Sequence, residues 1–531
     1  MSTIEFYDTT LRDGSQAEGI SFTAEDKLRI AQKLDELGIS YIEGGWPGSN
    51  PKDAEFFEQA KKLRLKHAKI AAFSMTRRAN TAVEKDPNIK ALLDAETPIV
   101  TFVGKSWDLH VTKVLETSLE ENLGMIADSI SYAKSKGKTV FYDAEHFFDG
   151  YKANPEYAMQ TIRAAAKAGA DCIILCETNG GALPDEVRDI VAAVAREMPG
   201  ASLGIHAHND GELAVANTLA AVMGGATQVQ GTINGIGERC GNANLVSVIA
   251  NLHLKLGKRT LADDQLRKLK EVSAYVSERT NKAPNPYQPF VGDSAFSHKG
   301  GMHAAAVAKM ESSYQHIAPE LVGNSPRVTV SELAGRSNVL AKARELGVDL
   351  GKDKDVATTV VKQVKEMESR GFVFEGAEAS FELLLRRAMP GYVRPFELVD
   401  FIVLVEKHRR APSQKQEDGL LSEATVKVRV GGEVLHMAAE GDGPVNALDM
   451  GLRQALVKSY PALSQVKLTD YKVRIVDSTD GTEAAVRVLI DSTDGEHRWS
   501  TVGCSSNIID ASWMALADSL EYWLLKYGDQ R

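Results

Sequence analysis

The sequence predicts an α/β protein: a (β/α)8 TIM barrel followed by a helical accessory region and a small α+β C-terminal domain. Three observations predict it. Short apolar, β-branched runs recur about every 25–40 residues through the first 240 positions. A helical pattern follows each of them, and after a polar, proline-containing stretch at 409–419 the pattern turns to alternating strands.

The eight runs are TIEFYDT (3–9), YIEGGW (41–46), KIAAFS (69–74), IVTFVG (99–104), TVFYDAEH (139–146), DCIILCETN (171–179), LGIHAHND (203–210) and QVQGTING (228–235). Eight strand–helix units in succession read as a closed barrel. An open doubly wound sheet would not usually run to eight regular repeats, and no G-x-G-x-x-G follows the first run. The helices carry their own start and stop signals. Thr23 caps a helix that ends at Gly38, Asn154 caps one that ends at Gly169, and Pro184 opens a third.

At 531 residues the chain has room for about three or four domains. The pattern divides it into a barrel over 1–260, an accessory region over 261–410 and a C-terminal domain over 420–531, with RRAPSQKQEDG (409–419) as a linker. A composition 43% hydrophobic and 25% charged is that of a globular protein and excludes a disordered or fibrous chain. The net charge is −10 with no basic block, which argues against nucleic acid as a partner but leaves room for a local pocket that takes an anion. Four cysteines make no disulfide framework; Cys172 and Cys176 sit in an apolar run and read as reduced core residues rather than as a metal pair. No apolar run reaches the ~18 residues of a membrane span and no leader pattern opens the chain, so a cytoplasmic protein without a membrane partner is expected.

Barrel topology also says where to look for chemistry, because active sites form at the C-terminal ends of the strands. Polar residues gather there. Asp8, Arg12 and Asp13 follow the first strand, Glu43 lies on the second, and Asp143, Glu145 and His146 end the fifth. Glu177, Thr178 and Asn179 end the sixth, His206, His208, Asn209 and Asp210 the seventh, and Glu238, Arg239 and Asn242 follow the eighth. Residues two apart on a strand share a face, so His206 and His208 point together into the barrel mouth. Either histidine alone could be an ordinary hydrogen-bonded barrel residue. The pair, with Asp13 and the amide oxygen of Asn242, makes a mixed N/O ligand set for Zn²⁺, Mn²⁺ or Mg²⁺.

Arg12 beside Asp13 suits a 2-oxo acid on such an ion, its guanidinium facing the charge that develops on the keto oxygen; a salt bridge to Asp8 or Glu43 is the alternative. Glu43 and Glu145 read as substrate-pocket carboxylates or as partners of the ligands. Thr178 is placed to bind the substrate carboxylate, and Asp8, Asp143 and Asn179 to orient ligands. The Gly-rich run GTINGIGERCGNANL is either a tight turn or a backbone cradle for an anion.

DTTLRDGSQ, GIHAHND and GIGERCGNA together resemble the metal-dependent Claisen-condensing barrels of the isopropylmalate synthase family, which includes the homocitrate synthases and shares its barrel with hydroxymethylglutaryl-CoA lyase. YIEGGWPGSNPKD, FSHKGGMHAAAVAK and YQHIAPELVGNSPRVTVSELAGRSNV extend the likeness over the whole chain and most resemble the pyruvate-using citramalate synthase branch. The resemblance implies an acyltransferase of isoleucine biosynthesis, with acetyl-CoA and pyruvate as substrates and a divalent metal on Asp13, His206, His208 and Asn242. Arg12 would stabilise the alkoxide, and Glu145 would bind substrate or transfer protons. It further implies that His303 and Tyr314 reach the site from a neighbouring subunit and help activate acetyl-CoA. Ala305 stands where some relatives carry an acid, so the group that assists His303 is open. The YDAEH motif departs from the aromatic-x-Glu of some relatives. Read as sequence only, His298 and His303 could equally be surface residues on a Gly-rich loop.

In the tail EATVKVRV, EVLHMAAEG and DYKVRIVD, then AAVRVLID and HRWSTVGC, alternate as strands, interrupted by the helices GPVNALDMGLRQALVKSY and SNIIDASWMALADSLEYWLLKY, which reads as a twice-repeated β-rich unit with one helix each. By the same resemblance it is a regulatory dimerisation domain of a homodimer with isoleucine as effector, the Gly-rich GDGPVN and TVGCSSN being the expected contacts. A dimer-forming domain without a ligand is the alternative. A hydroxyacyl-CoA lyase, a 2-isopropylmalate synthase using 2-oxoisovalerate, and a catalytically silent amino-acid sensor are the competing functions. Lyases of this type usually end soon after the barrel, and the intact Arg12–Asp13–His206–His208 set argues against a silent sensor.

Overall fold

Eight parallel strands close into a barrel in the computed structural model, which describes residues 4–258, 261–298, 303, 306–307, 310–328, 335–350, 354–407, 420–476 and 483–528. They are β1 (Glu5–Asp8), β2 (Tyr41–Gly45), β3 (Lys69–Met75), β4 (Ile99–Lys105), β5 (Thr139–Glu145), β6 (Cys172–Glu177), β7 (Leu203–Ala207) and β8 (Gln228–Gly231). Each pairs with the next in sequence, and β8 closes on β1 through Glu5 to Asp8 against Gln228 to Gly231.

Local signals decide the helix ends. Thr23 accepts from the Asp26 N–H while the Asp26 carboxylate accepts from the Thr23 N–H, a reciprocal cap that starts helix Ala24–Leu37. Gly38, at φ +94°, ends it. The Asn154 side chain caps Pro155–Lys167, and Pro184 is the first residue of Pro184–Glu197.

Two apolar layers result. Outside the strands, Leu34, Phe56, Ile126, Ile162 and Val191 from the helices pack on the outward faces of the sheet. Inside, Tyr7, Ala71, Phe141, Cys172, Ile174 and Cys176 fill the barrel, so the lumen is a packed plug and only its C-terminal mouth is open to chemistry. Cys172 and Cys176 are buried free thiols.

The chain divides into two compact units, one of residues 1–296 with 317–326 and one of 297–316 with 327–531. The second contains helices Arg336–Glu345, Lys354–Ser369 and Glu378–Arg387 and two three-stranded antiparallel sheets. The first sheet is Glu397–Lys407, Leu420–Val430 and Glu433–Gly441, followed by helix Pro444–Val457; the second is Lys467–Ile475, Val486–Thr493 and Arg498–Ser505, followed by helix Ile508–Tyr527. The repeat is therefore three strands and a helix, twice. Strand Glu397–Lys407 was not evident within the helical pattern of 261–410. Its ELVDFIVLVEK turns Phe401 and Val403 onto the core while Ile402 and Leu404 face outward, a period of two. Segment 409–419 lies outside the described residues and joins two strands that pair with each other, Lys407 opposite Leu420. No helix among the described residues is long and apolar enough to cross a membrane.

Candidate active site

The loop after β1 is pinned to the loop after β8. Thr10 donates to Asp8 through both its N–H (2.9 Å) and its hydroxyl (2.8 Å), and Thr10 Oγ1 in turn accepts from the Ile233 N–H at 2.9 Å. Thr9 N–H reaches the Gly231 carbonyl at 2.8 Å. These bonds set Arg12 and Asp13 over the mouth. On the far side of β8, His208 and Asn242 pair through their backbones and Asn209 N–H donates to the Gly241 carbonyl at 2.9 Å. Glycine is required here for packing. A Cβ on Gly241, at φ +89°, would stand 1.9 Å from the Gly235 carbonyl, and one on Gly237 would stand 1.9 Å from Asn242 Oδ1. The Gly-rich run thus folds tightly against itself and presses Asn242 toward the histidines.

Arg12, Asp13, Glu145, Thr178, His206 and His208 all line one cavity of about 250 Å³. Asn242, 1% exposed, lies directly behind: its Nδ2 is 3.0 Å from His206 Nε2 and 3.4 Å from Asp13 Oδ2. His206 Nε2 is itself 3.4 Å from Asp13 Oδ2. Glu43 does not line the cavity. It is fully buried beneath it, accepting from the Tyr7 hydroxyl at 2.6 Å and from Arg12 Nε. Arg12 is held by Glu43 and Asp13 together and lies over the Phe73 ring at 4.0 Å. Thr178 Oγ1 accepts from the His146 N–H at 2.9 Å, which leaves its own proton free. Below it, Glu177 accepts from the N–H groups of Gly181 and Ala182 and shapes that turn, and burial pushes its carboxyl up to about 7.

The charges favour ligation. Burial pushes Asp13 up, but Arg12, then His206 and His208, outweigh it and keep the carboxylate ionised. Burial, reinforced by His206, lowers His208 to about 4, so its imidazole is neutral with a lone pair to offer. His208 Nδ1 and Asn242 Oδ1 are buried without a hydrogen-bond partner among the described residues. Among the described residues no three His, Cys, Asp or Glu side chains converge as a ready-made cage, since Asp13 is turned onto Arg12. The fit to a divalent ion is in the chemistry of the donors: an ionised carboxylate, two imidazoles of which that of His208 is neutral, and an amide oxygen, two of them with buried atoms that lack a partner among the described residues.

Two residues of the site were not singled out in the sequence. Gln230, on the inward face of β8, takes the Nδ1 proton of His206 at 2.8 Å and donates to Asp143 at 3.2 Å. Asp143 is raised well above the usual carboxylate range, by burial first and then by Glu43. Lys105 ends β4 and pairs with Glu145. A glutamine facing a barrel lumen, and a lysine closing the apolar run IVTFVG, were the available signals. His303 and Tyr314 belong to the other unit, where their exposed rings stack at 4.5 Å. Ala305 and residues 299–302 lie outside the described residues.

A family model described as HMGL-like matches residues 3–275, a homocitrate synthase post-HMGL domain-like model matches 290–371, and a LeuA allosteric (dimerisation) domain model matches 375–524. An (R)-citramalate synthase of Geobacter sulfurreducens is 56% identical over 99% of this chain and 98% of its own length. The chain belongs to the citramalate synthase family. Another member, the (R)-citramalate synthase of Aquifex aeolicus, is 53% identical over 98% of each chain. A 2-isopropylmalate synthase of Methanocaldococcus jannaschii is more distant, at 32% over 98% of this chain and 95% of its own. The three model matches lay out, along this chain, a barrel, a post-barrel segment and an allosteric dimerisation domain.

Proposed function

We propose that the chain joins the acetyl group of acetyl-CoA to the keto carbon of pyruvate and hydrolyses the thioester, releasing (R)-citramalate and CoA for isoleucine biosynthesis; the acyl group becomes an alkyl group on transfer. The observation that carries this reading is the single cavity in which the Arg12 guanidinium, the Asp13 carboxylate and the imidazoles of His206 and His208 meet. Asp13, His206, His208 and Asn242 would hold zinc, manganese or magnesium. When bound, such an ion chelates a 2-oxo acid and polarises its keto group.

The protein's own groups do the rest. Arg12, fixed on two carboxylates, keeps a positive charge where the keto oxygen becomes an alkoxide. The free Thr178 proton is available to the substrate carboxylate. Glu43 acts through Arg12 by fixing its position. Glu145 binds substrate or moves a proton at the opposite wall. His303 and Tyr314, supplied by the partner of a homodimer, assist in activating acetyl-CoA. Residues 1–260 are the catalytic barrel in this reading, 261–410 the accessory region and 420–531 the regulatory domain, with isoleucine as effector and the cytoplasm as location.

The test supplies Mn²⁺ or Zn²⁺, acetyl-CoA and a panel of 2-oxo acids, and follows free thiol. Pyruvate is expected to be preferred and isoleucine to inhibit. Preference for 2-oxoisovalerate overturns the substrate assignment, and thiol release that ignores isoleucine overturns the effector.

A further inference from the structure

The barrel ring places two chemically different poles across one mouth. The donor set comes from the ends of β7, β8 and β1, whereas Lys105 and Glu145 end β4 and β5 and are register partners there. In a closed ring of eight strands, β4 and β5 stand opposite β8 and β1. A reaction between two substrates needs such an arrangement, one partner held at each pole with the reacting carbons between them.

Among the cations that line the cavity, Lys105 is the one held by a single carboxylate oxygen, so two of its three N–H bonds meet no acceptor among the described residues. Arg12 is engaged by Glu43 and Asp13, and Arg239 by both Asp210 oxygens and the Thr178 carbonyl. Lys105 carries three N–H bonds, and Glu145 Oε2 is the one acceptor they meet among the described residues. The ammonium is held close, with its side chain 13% exposed, and its backbone carbonyl is anchored by the Asn122 amide at 2.9 Å. Glu145 Oε1 is left without a partner among the described residues.

We propose that Lys105 is a catalytic residue, and that its ammonium stabilises the enolate oxygen of the acyl-CoA thioester. The step balances within the pair. Glu145 Oε1 takes a proton from the methyl group of the thioester, the C–H electron pair becomes the C=C bond of the enolate, and the thioester oxygen takes the negative charge and accepts an N–H from Lys105. The C=C pair then attacks the keto carbon, the thioester carbonyl reforms, and the negative charge moves to the keto oxygen beside Arg12. The ammonium interacts more strongly with the enolate than with the neutral thioester, so its contribution falls on the transition state.

This inference rests on the acetyl-CoA condensation proposed above, and its test has a readout that needs no condensation. The full-length enzyme with Mn²⁺, acetyl-CoA and oxamate, a pyruvate isostere that does not accept carbon, is placed in deuterium oxide, and loss of methyl protons from acetyl-CoA is followed by NMR. Lys105→Met is expected to slow this exchange and the kcat with pyruvate by the same factor, about 10²–10³ as for loss of one oxyanion donor. The KM for pyruvate should stay within about threefold of wild type, as expected when an interaction made only in the transition state is removed. Lys105→Arg, which keeps a cation of similar reach, should recover at least about a tenth of the lost rate, and it also serves if the methionine variant does not fold. Exchange at the wild-type rate in Lys105→Met, or a rise in pyruvate KM with kcat unchanged, overturns the proposal. Condensation failing with pyruvate while exchange still depends on Lys105 refutes the acceptor and leaves the lysine assignment standing.

Discussion

His206 donates through Nδ1 to Gln230 Oε1, 2.8 Å away, and so turns its Nε2 toward Asp13 and Asn242. An amide oxygen can only accept, so this bond fixes the tautomer of the imidazole. Gln230 is in turn held by Asp143. Replacing Gln230 with Leu leaves a residue that fits a barrel interior but frees the ring and its tautomer. Metal affinity should fall about 10–100-fold, read by competition with a chelator, as for loss of comparable partners of ligating histidines. Unchanged affinity would remove Gln230 from the site.

His208→Ala deletes a neutral imidazole while leaving the β7 backbone pairing intact. Divalent-ion binding by calorimetry and metal-dependent turnover should both be lost, with the circular dichroism spectrum unchanged. Retained turnover would exclude His208 as a ligand.

The candidate ligands were legible because they sit at or just past the ends of strands. His206 and His208 are two apart, and Asp13 and Arg12 follow directly on β1. The partners that tune them were hidden, since polarity on a barrel's inner face has no sequence period distinct from that of its apolar neighbours. Gln230 and Gln228 both lie buried on β8, yet Gln230 reaches His206 and Gln228 meets no hydrogen-bond partner among the described residues. Lys105 closes an apolar strand and matters because Glu145 is its register partner, which a linear sequence does not reveal. Strand Glu397–Lys407 was obscured for a similar reason. Its neighbour in the sheet, Leu420–Val430, begins beyond the polar segment that read as a boundary.

Asp8 offers a pH test removed from the ligands. Burial is the main cause that raises its carboxyl to about 7, against an ordinary value of 3.8, even though Thr10 donates to it twice. A carboxyl raised in the folded state favours folding only while it keeps its proton. Wild type should therefore lose stability relative to Asp8→Asn as pH rises from about 4 through about 7, and the gap should then level off. An asparagine oxygen can still accept from the Thr10 N–H. Tm measured for both proteins between pH 4 and pH 8 tests this, and a constant gap would mean that Asp8 is ionised throughout.

Arg387 ties together the helices of the second unit. From Glu378–Arg387 it reaches two carboxylates on Ile508–Tyr527, Asp518 at 2.6 Å and Glu521 at 2.7 Å, and the Tyr392 hydroxyl donates to the same Glu521 at 2.5 Å. Glu521 is 2% exposed, so the guanidinium is what makes its burial tolerable. Arg387→Met keeps most of the aliphatic volume but leaves two acidic groups close together without their cation. Removing one partner of such a pair costs about 3–5 kcal/mol. The variant should show a lower Tm for the transition of this unit, while a Glu521→Gln change made on top of it should recover part of the loss by removing one of the stranded charges. If Arg387→Met lowers Tm no more than an exposed arginine substitution such as Arg163→Met, the ion pairs do not hold these helices together.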